Sequence, residues 1–291
     1  MHLRQMIDED LVHAPGVWDG LTARLAEQAG FRALCASGFA VSASLGYPDA
    51  ELYTMTENLD AVRRVREASR LPVVADIDTG YGNAVNASRT ARRFADAGVQ
   101  AVFMEDQLSP KRCPLTTGAD VPLLETHEAA GKVRAVVDAA RESAADAAQQ
   151  MLVVARTDAR GDDALRRMEA YVAAGADLVM PVTKTFTTVE EWRRCHETLG
   201  VPLMATLTAS AWTEKALTPE VCREVGVRLA LLPTQLLMSV TQAAQTTLTR
   251  LAKGEDPATV GADAMGHATF VDVIGTAEVD RLRDTYLPAS V

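Results

Sequence analysis

Three acidic side chains stand where they could bind a metal ion together. Asp76 and Asp78 close the apolar segment 71–78, and Glu105 closes a second apolar segment, 99–106. Residues two apart on a strand share one face, so Asp76 and Asp78 are expected to point the same way. Clustered carboxylates repel one another and are costly to bury, and a divalent cation relieves both effects. Oxygen ligands of this kind favour Mg²⁺, with Mn²⁺ as a substitute.

The same acids also fit ordinary structural roles. Asp78 would then cap the helix that follows it, and Glu105 would form an ion pair with Lys111 or Arg112. Acids at strand ends serve either purpose, so the spacing of these residues leaves both interpretations open.

A cysteine directly follows two cations in the segment 105–114. The positive charges of Lys111 and Arg112 should lower the pKa of the Cys113 thiol and favour the thiolate. A thiol of this kind can act as a proton donor or as a nucleophile. The alternative is a packing role, which is the more usual one for a lone cysteine.

An arginine closes another apolar segment, 151–158. The guanidinium of Arg156 could hold a substrate carboxylate through two parallel hydrogen bonds. An ion pair of Arg156 with Asp158 or Glu105 is the alternative.

These residues all occupy one place in a repeated pattern. An amphipathic helix, a glycine that suits the left-handed end of a helix, and a short continuous apolar strand follow one another along the chain. The strand segments are 12–20, 31–38, 71–78, 99–106, 151–158, 176–183, 201–207 and 227–233. Eight such units predict a (β/α)8 TIM barrel. An open doubly wound sheet lacks the GxGxxG expected after its first strand.

In such barrels the chemistry lies at the C-terminal ends of the strands, and the polar residues of this chain fall there. Besides the acids and Arg156, the polar strand-end positions are Ser37, Gly38, Thr206 and Thr208. Helix starts support the same register: Thr188 and Glu191 form a capping box, and Thr218 precedes Pro219. We expect residues 1–254 to form the barrel. Residues 255–291 should form a C-terminal helical tail that packs on the barrel or on a neighbouring subunit.

The composition excludes several classes of function. With 29 basic against 39 acidic residues, the net charge of −10 disfavours binding to nucleic acid or to a membrane surface. The N-terminus lacks the apolar core of a signal peptide, and no apolar run approaches the roughly 18 residues that span a bilayer. The four cysteines show neither CxxC pairs nor zinc spacing. The sequence therefore predicts a cytoplasmic protein with reduced thiols that acts on a small molecule.

Together these motifs resemble the isocitrate lyase / phosphoenolpyruvate mutase superfamily. The matching segments cover most of the chain and read PGVWDGLTARLAEQAGFRAL, SGFAVSASLGYPD, DIDTGYGN, EDQLSPKRC and ARTDA. The resemblance implies a barrel that binds Mg²⁺ and a 2-oxo acid or its enolate. It also implies a homotetramer, built as a dimer of dimers that exchange a terminal helix, which would account for the tail.

The resemblance assigns binding roles position by position. The acids of the metal shell are Asp76, Asp78 and Glu105. The segment that holds the carboxylate of the oxo acid comprises Ser37, Gly38 and Phe39.

Catalytic roles follow from the same resemblance. Arg156 matches the substrate arginine, and Asp49 matches the acid of the gating loop. Cys113 matches the residue that protonates the carbanion or enolate left when a C–C bond breaks. The run Lys111-Arg112-Cys113 is typical of the C–C lyase branch, although carboxyphosphonoenolpyruvate mutases carry a similar run.

Several positions depart from the family pattern. Pro114 and Leu115 replace the usual Gly-His, while Phe103, Val182 and Thr206 replace a histidine, a glutamate and an asparagine. A site that recognises a tricarboxylate through buried hydrogen bonds should not tolerate such losses. We therefore expect a substrate smaller or less polar than isocitrate or methylisocitrate.

The sequence thus predicts a Mg²⁺-dependent carbon–carbon lyase that cleaves a 2-hydroxy carboxylate, in a retro-aldol reaction, to a 2-oxo acid and a second acid. One alternative is enolpyruvate chemistry, namely a phosphoenolpyruvate or carboxyphosphonoenolpyruvate mutase, an oxaloacetate decarboxylase or a C–C hydrolase. Another is a barrel that binds an oxo acid without turnover, because function depends on site residues rather than on fold.

Overall fold

Eight parallel strands close into a barrel in which each strand pairs with its neighbours in chain order. The computed structural model describes residues 1–113, 121–182, 185–208 and 217–287. The strands are β1 (Val12–Val17), β2 (Leu34–Ala36), β3 (Val73–Asp76), β4 (Ala101–Glu105), β5 (Leu152–Thr157), β6 (Leu178–Pro181), β7 (Leu203–Thr206) and β8 (Val227–Leu232). Val12 of β1 lies opposite Leu229 of β8, which closes the barrel. The predicted (β/α)8 fold is confirmed.

Helices surround the barrel and cover its outer face. In the first half of the chain they are α1 (Leu3–Glu9), α2 (Gly20–Gln28), α3 (Gly38–Ser44), α4 (Met55–Ala68), α5 (Ala84–Asp96) and α6 (Thr126–Arg141). In the second half they are α7 (Gly161–Ala173), α8 (Val189–Leu199), α9 (Pro219–Glu224), α10 (Gln235–Ala252), α11 (Pro257–Val260), α12 (His267–Ile274) and α13 (Thr276–Tyr286). A short 3-10 helix, Ala147–Gln149, precedes β5.

The helix boundaries follow the predicted signals. The Thr188 side chain accepts a hydrogen bond from the Glu191 amide at the start of α8, in the expected capping box. Thr218 caps α9, with Pro219 in its first turn. Gly200 ends α8 with a φ of 65°, the left-handed conformation that glycine adopts without a steric penalty.

The apolar core has two parts. One fills the space between the barrel and its helices, and the other fills the barrel interior. Leu3, Met6 and Ile7 of α1 pack against the interior set, so α1 closes the N-terminal end of the barrel. No helix was predicted from the sequence at this position. With that end closed by apolar side chains, the opposite end is left to hold a polar site.

The C-terminal helices α11 to α13 follow the last barrel helix, α10. Val273 of α12 is buried, and its carbonyl accepts a hydrogen bond from Arg24 Nη1 of α2 at 3.3 Å. Large apolar side chains on α10, α12 and α13 are exposed nonetheless: Met238, Val240, Leu248, Leu251, Phe270, Ile274, Val279, Leu282 and Tyr286. The division of the chain at residue 254 stays a prediction. In the ranges described, no helix is both long enough and apolar enough to cross a bilayer.

Candidate active site

A cavity opens at the C-terminal ends of the strands, where the site was predicted. Its lining includes the polar or ionisable side chains of Ser37, Asp49, Asp76, Lys111, Cys113 and Arg156. It also includes the largely apolar side chains of Cys35, Phe39, Phe103, Met180, Val182, Leu231 and Pro233, together with Thr206 and Thr234. Residues as far apart in the sequence as Cys35 and Thr234 therefore share one cavity, because the barrel gathers its strand ends.

The two aspartates after β3 do not share a strand face. Asp76 is the last residue of β3, whereas Asp78 lies in the following turn with a φ of +48°. The Asp78 amide donates to Asp76 Oδ1 at 3.0 Å, and the Gly38 amide donates to Asp76 Oδ2 at 3.2 Å. The strand alternation used in the prediction does not reach Asp78, because the strand has already ended. Asn83, not Asp78, caps the next helix, so the capping role considered for Asp78 is wrong.

Lys111 brings the acids of the site together. Its Nζ lies 2.5 Å from Asp78 Oδ1, 2.9 Å from Asp49 Oδ1 and 3.8 Å from Glu105 Oε1. Burial alone would lower the pKa of Lys111, but the carboxylates of Asp78, Glu105 and Asp49 raise it well above its ordinary value. Lys111 is therefore a permanent cation in this site.

Arg156 forms both ion pairs that the alternative interpretation proposed for it. Its Nη1 lies 2.5 Å from Glu105 Oε2, and its Nη2 lies 3.1 Å from Asp158 Oδ1. Burial opposes the charge of Arg156, but Asp158, Glu105 and Asp76 raise its pKa well above the ordinary value. Arg156 also lines the cavity, so its ion pairs orient a guanidinium that a substrate can still reach.

The carboxylates of the site carry more negative charge than these two cations neutralise. Burial raises the pKa of Asp76 to about 7, although Lys111 acts in the opposite direction. Burial also raises the pKa of Glu105 well above its ordinary value, against the lowering effect of Arg156 and Lys111. Both shifts mean that the ionised forms of these acids are disfavoured, and a further positive charge would stabilise them.

The donor set fits a hard divalent cation. Both carboxylate oxygens of Glu105 and Oδ1 of Asp78 are buried, and among the described residues they contact only the cations Lys111 and Arg156. Buried carboxylate oxygens of this kind are the ligands that Mg²⁺ prefers. Within the described ranges, no three His, Cys, Asp or Glu side chains are already arranged around a common metal position. The chemistry of the donors therefore suits Mg²⁺, while their side chains would have to rearrange around it.

The Lys-Arg-Cys run divides between the cavity and the surface. Cys113 lines the cavity with 6% of its surface exposed, and its amide donates to the Asp49 carbonyl at 3.3 Å. The Arg112 side chain is exposed, while its amide donates to Gln107 Oε1 at 2.9 Å. Lys111 and Cys113 are thus brought into the site and Arg112 is not. The departures at Pro114 and Leu115 lie outside the described residues.

The remaining predicted residues differ in how closely they approach the cavity. Ser37 and Phe39 line the cavity, and the Gly38 amide donates a hydrogen bond to Asp76. A Cβ added at Gly38 would lie 2.7 Å from both Asp76 Oδ2 and Tyr53 Oη, so only glycine permits this close approach. Val182 and Thr206 line the cavity, and Thr206 Oγ1 is buried without a hydrogen-bond partner among the described residues. Thr208 is buried outside the cavity.

A hydrogen-bond network behind the acids was not predicted from the sequence. Asn58 Nδ2 donates to the Asp76 carbonyl at 2.7 Å and to Tyr81 Oη at 2.8 Å. Tyr81 Oη donates in turn to Asp78 Oδ2 at 3.1 Å. One signal was available: Asn58 interrupts the apolar stripe of α4, and a buried polar side chain there needs partners.

A second buried acid, Asp106, was also missed. Thr157 Oγ1 and Tyr171 Oη donate to its Oδ2 at 2.6 and 2.7 Å, and the Asp158 amide donates to its Oδ1 at 3.1 Å. Arg167 Nη1 lies 3.4 Å from Asp106 Oδ2. Because it accepts all of these bonds, Asp106 fixes the end of β5, which carries Arg156.

Comparison with known proteins agrees with this geometry. The family model described as phosphoenolpyruvate phosphomutase matches residues 3–252. The 2-methylisocitrate lyase of Aeropyrum pernix is 34% identical over 284 residues, covering 96% of this chain and 88% of that protein. The 2,3-dimethylmalate lyase of Eubacterium barkeri is 32% identical over 290 residues, covering 98% and 96%.

A solved structure extends the comparison. A phosphonopyruvate hydrolase in complex with oxalate and Mg²⁺ superimposes with a TM-score of 0.84 at 28% identity, covering 99% of this chain and all of that one. Fold, motifs and relatives therefore agree. The chain belongs to the phosphoenolpyruvate phosphomutase family, within the isocitrate lyase / phosphoenolpyruvate mutase superfamily.

Proposed function

We propose that the protein is a Mg²⁺-dependent carbon–carbon lyase that cleaves a 2-hydroxy carboxylate to a 2-oxo acid and a second acid. The observation that carries this proposal is the mixed lining of the cavity. Acids, two cations and a thiol line it together with a set of apolar side chains. The relatives named as lyases support it, because they cover nearly the whole chain.

Asp76, Asp78 and Glu105 are the residues that would hold the metal ion. When bound, Mg²⁺ supplies positive charge that stabilises the oxyanion developing on the substrate. Arg156, kept in place by Glu105 and Asp158, would orient a substrate carboxylate. The Ser37–Phe39 segment would hold the carboxylate of the oxo-acid portion.

Cys113 completes the reaction in this proposal. The hydroxyl proton passes to solvent water, the C2–O group becomes the carbonyl of the 2-oxo acid as the C2–C3 bond breaks, and the electron pair of that bond stays on C3 of the departing acid. The Cys113 thiol, which lines the cavity, would then give its proton to that carbon. Asp49 and Lys111 support this step, since Asp49 pairs with the Lys111 ammonium and its carbonyl accepts the Cys113 amide.

The apolar residues that line the cavity indicate the class of substrate. Phe103, Met180 and Val182 offer no hydrogen bond to a third carboxylate. Burying an unpaired carboxylate against them would be costly, so the proposed substrate carries alkyl groups in place of that carboxylate. The dimethylmalate lyase among the relatives acts, by its name, on a compound of this kind.

A substrate panel tests the proposal. With Mg²⁺ present, release of a 2-oxo acid is measured from 2,3-dimethylmalate, isocitrate and methylisocitrate. We expect kcat/KM for the two tricarboxylates to be at least roughly 100-fold below that for the alkyl-substituted acid. Efficient cleavage of methylisocitrate would show that Phe103, Val182 and Thr206 do not exclude it. Failure of all three substrates would remove the lyase assignment.

Enolpyruvate chemistry is the second candidate function. The match to the phosphomutase family model and the similarity to a phosphonopyruvate hydrolase favour it. Product analysis with phosphonopyruvate and oxaloacetate separates mutase, hydrolase and decarboxylase activities from the lyase. Oxalate binding without turnover of any of these compounds would identify a binding protein instead.

A second copy of this chain is the partner we propose. The exposed apolar side chains on α10, α12 and α13 form more apolar surface than a monomer usually leaves in water. Exchange of the C-terminal helices within a pair of subunits, and pairing of two such dimers, would cover this surface in a homotetramer.

A further inference from the structure

The carboxylate of Glu51 joins three consecutive loops at the mouth of the barrel. Its Oε1 accepts a hydrogen bond from Thr79 Oγ1 at 2.5 Å, in the loop after β3. Its Oε2 accepts bonds from Ser109 Oγ at 2.7 Å and from the Lys111 amide at 3.1 Å, in the loop after β4. Glu51 itself lies between α3 and α4, after β2. One half-buried side chain therefore connects segments that are far apart in the sequence.

The backbone of Glu51 is held in an uncommon conformation. Its φ is +53°, in the left-handed region that residues with a Cβ rarely adopt. Such conformations persist where surrounding contacts enforce them, and they occur often at functional sites. The hydrogen bonds from Thr79, Ser109 and Lys111 are contacts of this kind.

These bonds act on the segment 107–113, here called the cysteine loop. Two residues before Glu51, Asp49 accepts the Cys113 amide at its carbonyl and pairs with Lys111 through its carboxylate. The segment 49–51 thus contacts the cysteine loop at Ser109, Lys111 and Cys113. Removal of the Glu51 carboxylate would break the contacts at Ser109 and at the Lys111 amide, which are more exposed than the Asp49–Lys111 ion pair.

We propose that Glu51 is a positioning residue that latches the cysteine loop over the cavity and so sets where the Cys113 thiol lies. Glu51 does not line the cavity, and its carboxylate acts through the loop. The use of Cys113 as a proton donor rests on the proposed function, whereas the latch concerns only the position of the thiol.

Alkylation of Cys113 by iodoacetamide reports the latch without any need for turnover. In the full-length protein, Glu51→Ala should speed Cys113 alkylation about 10-fold, the scale expected for losing a hydrogen bond to a charged group. Glu51→Gln keeps one acceptor oxygen, so its rate of Cys113 alkylation should lie between those of the native protein and of Glu51→Ala. Asp60→Ala removes a solvent-exposed acid of α4 and should leave the rate unchanged. An unchanged or slower rate in Glu51→Ala would overturn the proposal.

Two further measurements separate a latch from general loosening. The buried Cys195 and Cys222 should keep their alkylation rates in Glu51→Ala, and a rise in all thiols together would overturn the proposal. Glu51→Ala should also have a smaller effect when Ser109 is already alanine, because the two residues share a bond. Equal effects in both backgrounds would count against the latch.

Kinetics supply the last readout. With an active substrate, Glu51→Ala should lower kcat about 10-fold and leave the affinity for oxalate unchanged, because the side chain does not reach the ligand. A change in oxalate affinity with constant kcat would assign Glu51 to binding instead. If no substrate is cleaved, the lyase proposal fails while the alkylation result still decides the latch.

Discussion

Lys111 Nζ lies 2.5 Å from Asp78 Oδ1, in an ion pair from which water is almost completely excluded. Lys111 is on the loop after β4 and Asp78 in the turn after β3, so this contact joins two loops through opposite charges. A buried ion pair is costly to break, because removal of one partner leaves the other charge uncompensated. The acids that would hold a metal ion are therefore tied to the loop that carries Cys113.

Removal of metal should stop the reaction. We expect excess EDTA to abolish 2-oxo acid formation, and Mg²⁺ or Mn²⁺ to restore it. Asp78→Ala should lose Mg²⁺-dependent oxalate binding, measured by calorimetry, while circular dichroism shows a retained fold. Asp49 still pairs with Lys111 in that variant, so the ammonium is not left alone. Asp60→Ala is the matched control. Full activity in excess EDTA would exclude a metal role for these acids.

Cys113→Ser should cut turnover by roughly 100-fold or more, the usual scale for a positioned acid. Oxalate affinity should change little, since Arg156 and the Ser37–Phe39 segment remain. Near-normal turnover in this variant would show that the thiol is not used, and would favour enolpyruvate chemistry.

The four thiols of the native protein provide an internal comparison. Iodoacetamide should label Cys113 fastest, and bound oxalate with Mg²⁺ should protect it. Burial raises the pKa of Cys35 well above its ordinary value, that of Cys195 to about 12 and that of Cys222 to about 11. These three thiols should therefore react slowly. Faster labelling of any of them would contradict the assignment.

Asp106 and Asp163 offer a matched pair for stability, because both contact Arg167. The Asp106 side chain is 2% exposed and that of Asp163 is 49% exposed. Asp106→Ala should lower the free energy of unfolding by about 3 kcal/mol, since it leaves Tyr171, Thr157 and Arg167 without their acceptor. Asp163→Ala should cost less than about 1 kcal/mol. Urea unfolding measures both, and equal losses would contradict a structural role for the buried network.

Assembly should depend on the exposed apolar surface. We expect the protein to sediment as a tetramer, and Met238→Glu or Leu248→Glu to shift it to smaller species. Val85→Glu, at an exposed position of α5, is the control and should not change the sedimentation. A monomeric native protein, or variants that sediment unchanged, would rule out this surface as the subunit interface.

The fold was predictable because its signals are local and repeated. The strands are short, largely apolar runs, and several of the helices between them carry a capping residue or a closing glycine, as Thr188 and Gly200 do for α8, so eight units could be counted directly. Helix α1 was not predicted, because it is short and its N-cap residue is His2, which does not usually mark the start of a helix. Its burial depends on the barrel that it closes, which no local pattern shows.

The site was predictable by residue type and less so by arrangement. The strand-end rule located Asp76, Glu105 and Arg156, since a barrel brings its strand ends together. It could not show that the chain turns into the left-handed region at Asp78. Nor could it show that Arg112 faces solvent while its neighbours on both sides face the cavity.

Side-chain contacts between residues far apart in the sequence could not be predicted from local patterns. The partners of Glu51 lie 28 to 60 residues further along the chain, and they meet only where three loops converge. The family resemblance assigned Asp49 to the site, but it assigned no role to the nearby Glu51.

The lining of the cavity also divides along the chain. Among the described residues that line it, the ionisable ones all lie within the first 156 positions, and the later contributors, from Met180 to Thr234, carry no charge. Mutations in the second half of the gene can therefore reshape the cavity without touching the charged groups. A new substrate preference could evolve there in small steps while the reaction itself is inherited unchanged. Directed evolution of specificity would begin with Met180, Val182, Thr206 and Leu231.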